Sequence, residues 1–542
     1  MPQRASPLAP FRHATFRALW TATLASNLGG LIQMVGAGWL MTTISDSNDM
    51  VALVQAATTL PIMIFSLAAG ALADSFDRRN IMLTAQIAMM VVSAGLAIFA
   101  VTGLLTPWWL LTFTFLIGCG TALHNPSWQA SMGDIVPRED LPGAVTLNSV
   151  SYNLMRSLGP AVGGLIVALA GAATAFALNA VSYIALIIAL IRWKPQRVPS
   201  TLPREAFGSA ISAGLRYIAM SPNLLKVLFR GFAFGLAAVS VLALLPVVAR
   251  DLVEGGAFTY GIMLGCFGAG AIIGAVLNPR LRESLRNETI VRAAFIGSAL
   301  SVVLLALSRD MWLSCLALFP AGACWVITLS LFNVTVQLST PRWVVGRALS
   351  LYQTATFGGM AMGSWLWGVT ADAYGPDKAL MASGVVLVLG AIVGLRFALP
   401  EFGALNLDPL DSFSEPTLRL DLRSRSGPIM VMVDYDIAQK DVQAFLAVMS
   451  DRRRIRIRDG ARQWALLRDL ESPRIWTETY HVATWVEYVR HNQRRTQADA
   501  EVSDRLRALH RGDEPPRVHR MIERQTVPIR DDMPIKEQVE MH

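Results

Sequence analysis

Residues 18–43 read ALWTATLASNLGGLIQMVGAGWLMTT, without one charged side chain. About 20 mostly apolar residues suffice to cross the hydrocarbon core of a bilayer. Runs of comparable length and character recur at 51–73, 81–101, 108–130, 144–170, 174–191, 224–249, 260–277, 290–307, 311–337, 348–371 and 379–399. Inside lipid, every backbone donor and acceptor must be satisfied within the chain, so single runs of this kind fold as helices. The sequence therefore predicts an all-α membrane part of twelve transmembrane helices. Composition agrees, with 53% hydrophobic and 16% charged residues, against about 25% charged in soluble domains.

Charge marks the two faces of the membrane. The first 400 residues carry a basic excess, and the remainder is nearly balanced. Arg12, Arg17, Arg78, Arg79, Arg192, Lys194, Arg280 and Arg347 fall in gaps or span ends on one side. The other side has little beyond Arg250, Arg309 and Lys378. The positive-inside rule then puts both termini of this multi-pass membrane protein in the cytoplasm. The basic residues thus serve membrane orientation, and no nucleic-acid partner is expected. Cys119, Cys266, Cys315 and Cys324 all lie in apolar runs without metal-ligand spacing, so they read as small apolar fillers. No metal site or cofactor is expected.

A constant offset superposes Gly70-Ala71 on Gly274-Ala275, Pro137-Arg138 on Pro341-Arg342, and Gly159 and Gly164 on Gly363 and Gly368. The membrane part thus reads as two parallel six-helix repeats. Residues 1–192 and 224–400 form the halves, and residues 193–223 a polar cytoplasmic connection. Parallel halves of this kind suit rocking around a central site.

The gap GALADSFDRR, residues 70–79, places two aspartates and two arginines between apolar runs. Gly70, Leu72, Asp74, Arg78 and Arg79 fit the pattern Gly-x-Leu-x-Asp-Arg-x-Gly-Arg-Lys, whereas Ser75 and Asp77 depart from it. The chain in this respect resembles the major facilitator superfamily. Within it, NPSWQASMGDIVPREDLPGAVTLNSVSYNLMRSLGPAVGG, residues 125–164, is most similar to the enterobactin exporter and transmembrane secretion effector branch. The resemblance implies a conformational latch built from Gly70, Asp74, Asp77, Arg78 and Arg79. It also implies an antiporter-like packing motif at Gly159, Pro160, Gly163 and Gly164, weakened by the missing upstream glycine.

Polar groups inside spans are costly and default to functional roles. The substrate or coupling candidates are Asn27, Gln33, His124, Arg156 and Gln353. Arg156 reads either as a cavity residue attracting a polar substrate or as a structural partner of Asp134. His124 reads as a proton acceptor or as a neutral ring bonded to a neighbouring helix. Lys226, Arg230 and Arg396 read as anchors reaching the cytoplasmic surface. No Asp or Glu falls clearly in mid-span.

After a linker at 401–427, residues 428–511 read as strand, helix, strand, strand and helix, the order of a ferredoxin-like α+β domain. Val442, Phe445, Leu446 and Met449 define the apolar face of its first helix. Residues 512–542 are expected to be disordered. The domain resembles the dimeric α+β barrels of antibiotic-biosynthesis monooxygenases. That resemblance implies a homodimer through the C-terminal domain, with Trp464, Trp476 and His481 as a ligand face or simply as core.

These readings together describe a secondary transporter exporting a small amphipathic molecule, such as a siderophore or drug, by alternating access. No Gly-x-x-x-x-Gly-Lys-Ser/Thr nucleotide loop occurs, and no enzymatic activity is expected. The alternative is a membrane-tethered enzyme or sensor acting through the C-terminal domain.

Overall fold

A computed structural model of the chain describes residues 8–137, 139–194, 207–341, 343–400, 406, 407, 410, 413–420, 422, 426–512 and 514–523. Side chains are not described at 70, 71, 73–75, 142, 149, 152, 153, 207, 209 and 210. The chain divides into two compact units. The first comprises Met1–Glu205, Asn223–Val336 and Leu349–Glu401, and the second Ala206–Pro222, Gln337–Ala348 and Phe402–His542.

The first unit is helical. Its elements are α1 (Ala14–Ile44), α2 (Asn48–Ser75), α3 (Arg78–Val101), α4 (Pro107–Ile135) and α5 (Leu141–Arg192). After α6 (Phe207–Ala219), which belongs to the second unit, come α7 (Pro222–Val247) and α8 (Ala257–Ser284). The series closes with α9 (Asn287–Leu307), α10 (Met311–Leu338), α11 (Val345–Tyr374) and α12 (Pro376–Arg396). Eight of the described helices are long and apolar enough to cross a membrane. Local chemistry starts several of them. Thr106 caps α4 through the amide of Trp109, with Pro107 in the first turn, where its missing N–H costs nothing. Asp77 caps α3 by accepting from Arg79 N at 3.0 Å. Inside α5, Gly171 has φ 78°, a conformation that L side chains resist. The chain reverses there: residues from both ends of α5, Ala144 and Leu190, pack into one cluster with Met82 and Trp128.

The second unit is built on a four-stranded antiparallel sheet in the order β2–β3–β1–β4. Its strands are β1 (Ile429–Asp436), β2 (Arg462–Arg468), β3 (Ile475–Val482) and β4 (Arg517–Ile522). The helices α13 (Val442–Asp459), α14 (Trp485–Gln493) and α15 (Gln497–Leu509) complete it. Strand β1 alternates buried and half-buried residues, as a strand with one covered face must. Val431, Val433, Phe445, Met449, Tyr480 and Leu506 lie in its core. Thr496 and Asp499 form a capping box that starts α15.

Four expectations need correction. Residues 517–522 fall in the segment expected to be disordered, yet they form β4, because pairing with β1 satisfies their backbone. On α13, Leu446 is 43% exposed, so Phe445, Val448 and Met449 carry the buried face. The polar connection 193–223 contains α6, which packs within the second unit: Arg458 stacks 5.4 Å over Tyr217. The linker 401–427 is tied to the domain, with Leu410 N donating to Arg495 O and the Trp485 indole to Glu415.

At the centre of this unit Glu478 is fully buried. It accepts from Arg456 Nε at 3.1 Å, the Trp464 indole at 3.1 Å and the Tyr435 hydroxyl at 3.2 Å. Burial alone raises its pKa, but Arg456 and Arg452 outweigh burial and hold the carboxyl down at about 2. A carboxyl depressed in the folded state contributes stability above its unfolded pKa of about 4.3, and loses it as pH falls toward the folded value. Glu478→Gln, which strands Arg456 in the interior, should destabilise the unit by about 3–5 kcal/mol. Hydrogen exchange of the full chain should show β3 amides losing protection in this variant at pH 7. Wild-type protein should lose it only between about pH 4.3 and 2. Unchanged protection in Glu478→Gln would refute this role.

Candidate functional site: a polar cavity between two helical halves

The first unit holds a cavity of about 340 Å³. Asn27, Gln33, Gln55, Gln86, His124 and Asn125 contribute its polar lining from the first half. Leu242, Pro246, Tyr260 and Phe357 close it from the second. Among the described residues, no Asp, Glu, Lys or Arg lines it. Thr23 Oγ1 and Gln86 Oε1 are buried at this site without a hydrogen-bond partner. Buried polar atoms are normally satisfied, so these two leave hydrogen-bonding capacity unused beside the cavity.

Of the five candidate residues, Asn27, Gln33 and His124 reach this cavity and two do not. Gln33 is anchored: its Oε1 accepts from Ser93 Oγ at 2.8 Å and from the Asn179 amide, joining α1, α3 and α5. Gln86 Nε2 lies 3.3 Å from Nδ1 of His124. With the amide donating, the ring carries its proton on Nε2. The ring also stacks on Trp128 at 6.4 Å between centroids. Arg156 lies over Phe267 of α8 at 5.8 Å instead of lining the cavity. It does not pair with Asp134, whose carboxylate takes Arg78 at 3.0 Å. Gln353 is also outside the lining, where Phe357, one turn further along α11, takes its place.

The glycine motif lies where helices come closest. A Cβ at Gly159 would meet Leu31 at 2.9 Å, and at Gly163 the Ile32 Cα at 3.0 Å. At Gly164 it would stand 2.7 Å from the Gly261 Cα of α8, and at Gly261 equally close to the Pro160 carbonyl. Small residues allow this backbone approach, which drives helix association where lipid removes the hydrophobic incentive.

In the charged gap, Asp74 and Gly70 lie outside the described side chains. Arg78 also donates to Ala130 O at 2.9 Å, and Arg79 to Leu190 O and Ile191 O at 2.7 Å each. These contacts fasten α3 to the ends of α4 and α5. At the opposite end of the bundle the halves meet directly. Asp372, in the last turn of α11, accepts from Asn48 N at 2.5 Å and Ser47 Oγ at 2.6 Å. Arg250 donates to Thr42 O at 3.0 Å and Asn48 Oδ1 at 3.1 Å. In mid-bundle Ser66 Oγ meets Thr354 Oγ1 at 2.7 Å.

In the first unit, sequence reasoning missed a buried ion pair. Arg230 of α7, expected as a surface anchor, is 1% exposed and binds Glu288 of α9 at 2.5 Å. Glu288 also accepts from Leu399 N at 3.0 Å. Both residues sit near span ends in the sequence, and nothing in their spacing signals that they meet.

A model described as transmembrane secretion effector matches residues 5–526. The chain belongs to the transmembrane secretion effector family. It is a transporter of the major facilitator superfamily. The staphyloferrin A transporter of Staphylococcus aureus is 24% identical over 363 residues, covering 66% of this chain and 90% of the relative. An enterobactin exporter of Shigella boydii is 27% identical over 391 residues, covering 70% and 91%. Among solved structures, a bacterial homologue of the human lysosomal transporter Spinster, inward-facing and unoccupied, matches with a TM-score of 0.57 at 13% identity. That match covers 72% of this chain and 98% of the other. An auto-inhibited POT-family peptide transporter matches with a TM-score of 0.59 at 13% identity, covering 71% and 96%. At these identities the structural likeness speaks for the fold alone.

A side chain at Gly164 can be relieved only by separating two backbones. Gly164→Val should therefore cost about 1–3 kcal/mol and lower the melting temperature in detergent, while Gly30→Ala, with open space around it, should not. Equal melting temperatures for the Gly164→Val variant and wild type would contradict the close-packing account.

Proposed function

We propose that this transmembrane secretion effector exports a small, amphipathic and largely uncharged molecule, of siderophore or drug type, by alternating access. The observation that carries the reading is the cavity lined by both halves, with amide and hydroxyl groups but no formal charge among the described residues. Its volume of about 340 Å³ falls within the range of small-molecule sites. The relatives named for staphyloferrin A and enterobactin support a siderophore-like cargo.

In this reading the chain has twelve spans, and the reversal at Gly171 divides α5 into two of them. The basic loops place both termini in the cytoplasm. The contacts at Asp372 and Arg250 then close the outer end, and the charged cluster at 70–79 works at the inner mouth. Asp74 would pair with Arg78 when that mouth closes. The connectivity β1–α13–β2–β3–α14–α15–β4 supports a ferredoxin-like assignment for the C-terminal domain. His124 is the lining side chain whose ordinary pKa lies nearest neutrality, and it is the candidate to exchange a proton for substrate.

Outward flux of dyes and siderophores from cells tests this. Asn27→Leu and Gln86→Leu should each lower flux about fivefold to tenfold, the loss expected for one hydrogen bond to the cargo. His124→Gln should retain binding but lose the sensitivity of flux to a protonophore. Flux unchanged in all three variants would overturn the cavity as the transport site.

A further inference from the structure

The second unit encloses a larger cavity, of about 880 Å³. Six arginines line it: Arg452, Arg456, Arg494, Arg495, Arg507 and Arg520. No Asp or Glu does. Trp343, Phe413, Tyr480 and Tyr488 supply aromatic walls. Glu478, outside the lining, is engaged by Arg456 at 3.1 Å and lies 3.6 Å from Arg452. Asp499 is engaged by Arg458 at 2.8 Å and by the Thr496 cap.

Two of the guanidinium groups are held together against their mutual repulsion. Arg452 Nη1 and Arg495 Nη2 both donate to Ser503 Oγ, at 3.0 and 2.7 Å. Arg452 is 8% exposed. Its Nε lies 3.6 Å from Glu478, beyond hydrogen-bond reach, and has no other partner. Burial, with Arg452 and Arg456 adding to it, pushes Arg495 down to about 10. On the rim Arg520 Nε donates to the Tyr488 hydroxyl at 2.6 Å, fixing a guanidinium beside an aromatic ring. Convergent, half-desolvated guanidinium groups match the planar fork of a carboxylate. Aromatic walls match a flat ring.

We propose that this cavity is a binding site for a small anionic aromatic molecule, an aryl carboxylate or a larger acid built from one. The arginines meet its acid group, and Tyr480, Tyr488 and Trp343 meet its ring. The site is separate from the transport cavity. Trp343 belongs to the connection between α10 and α11 and stacks under Arg494 at 4.2 Å. It also packs edge-on against Tyr217 of α6 at 5.7 Å. Occupancy therefore fixes two connections of the membrane part, α10 to α11 and the segment between the halves, and gives the transporter a ligand-sensing device.

Isothermal titration of the full chain in detergent with 2,3-dihydroxybenzoate tests the assignment, with catechol as the probe lacking the acid. Saturable binding of the acid is expected, at least about tenfold tighter than catechol, as a charge-assisted bond requires. Arg495→Gln and Arg520→Gln should each weaken it about tenfold or more. Arg495→Lys, which keeps the charge, should retain part of the affinity. Asn27→Leu, altered in the transport cavity, should bind as wild type does. Four results would each overturn the proposal: no saturable binding at millimolar acid, equal binding of catechol, unchanged affinity in both Gln variants, or loss of binding in Asn27→Leu. Tighter binding of AMP than of the acid would overturn the assigned ligand class.

Discussion

The membrane part depends on backbone-to-backbone contact at glycine. Lipid tails are as apolar as leucine, so helices in a bilayer gain little from hiding apolar side chains. They gain from close van der Waals approach, and Gly159, Gly163 and Gly164 provide it along one stretch of α5. Two of the three set α1 against α5 within the first half. Gly164 sets α5 against Gly261 of α8, and so joins the halves. A contact without side chains can slide or part without breaking hydrogen bonds, which suits the alternating access proposed above. The polar contacts that accompany it, at Asp372 and Arg250, involve few groups near the bundle end.

The cavity follows from this packing. Helices drawn together at their glycines leave a gap where larger polar side chains face inward. Gln33 is held by Ser93 and Asn179, so the wall beside Asn27 is rigid. Thr23 and Gln86 keep unspent hydrogen-bonding capacity there. A site with amides and hydroxyls but no charge avoids the cost of stripping water from an ion. Under the proposed function it selects neutral or internally compensated cargo. The second unit has the opposite chemistry, with arginines and aromatic rings around a wider space.

Much of this was legible in the sequence. The apolar runs locate the helices, and the alternation in IMVMVDYD locates β1. The packing glycines were legible because their spacing resembles a known motif. What the sequence could not supply is the direction each side chain faces. A helix apolar on all sides has no amphipathic phase, so Arg156, Gln353 and Asn27 look alike as polar residues in spans, yet only Asn27 reaches the cavity. The Arg230–Glu288 pair escaped because its members lie 58 residues apart, near different helix ends. Strand β4 was illegible for another reason. RVHRMI is charged and mostly exposed, and only its ladder to β1 makes it a strand. Trp464 and Trp476, read as a ligand face or simply as core, make the contacts of core residues: Trp464 donates to Glu478 and Trp476 packs on Phe445.

The central claim is that the halves part at the Ser47–Asp372 end to release cargo. The direct test places cysteines at Ser47 and Asp372 in a background with Cys119, Cys266, Cys315 and Cys324 replaced. Flux is then measured before oxidation, after it, and after reduction. The account predicts that the cross-link stops flux and that a reductant restores it. Undiminished flux through a fully cross-linked protein would contradict alternating access at this end.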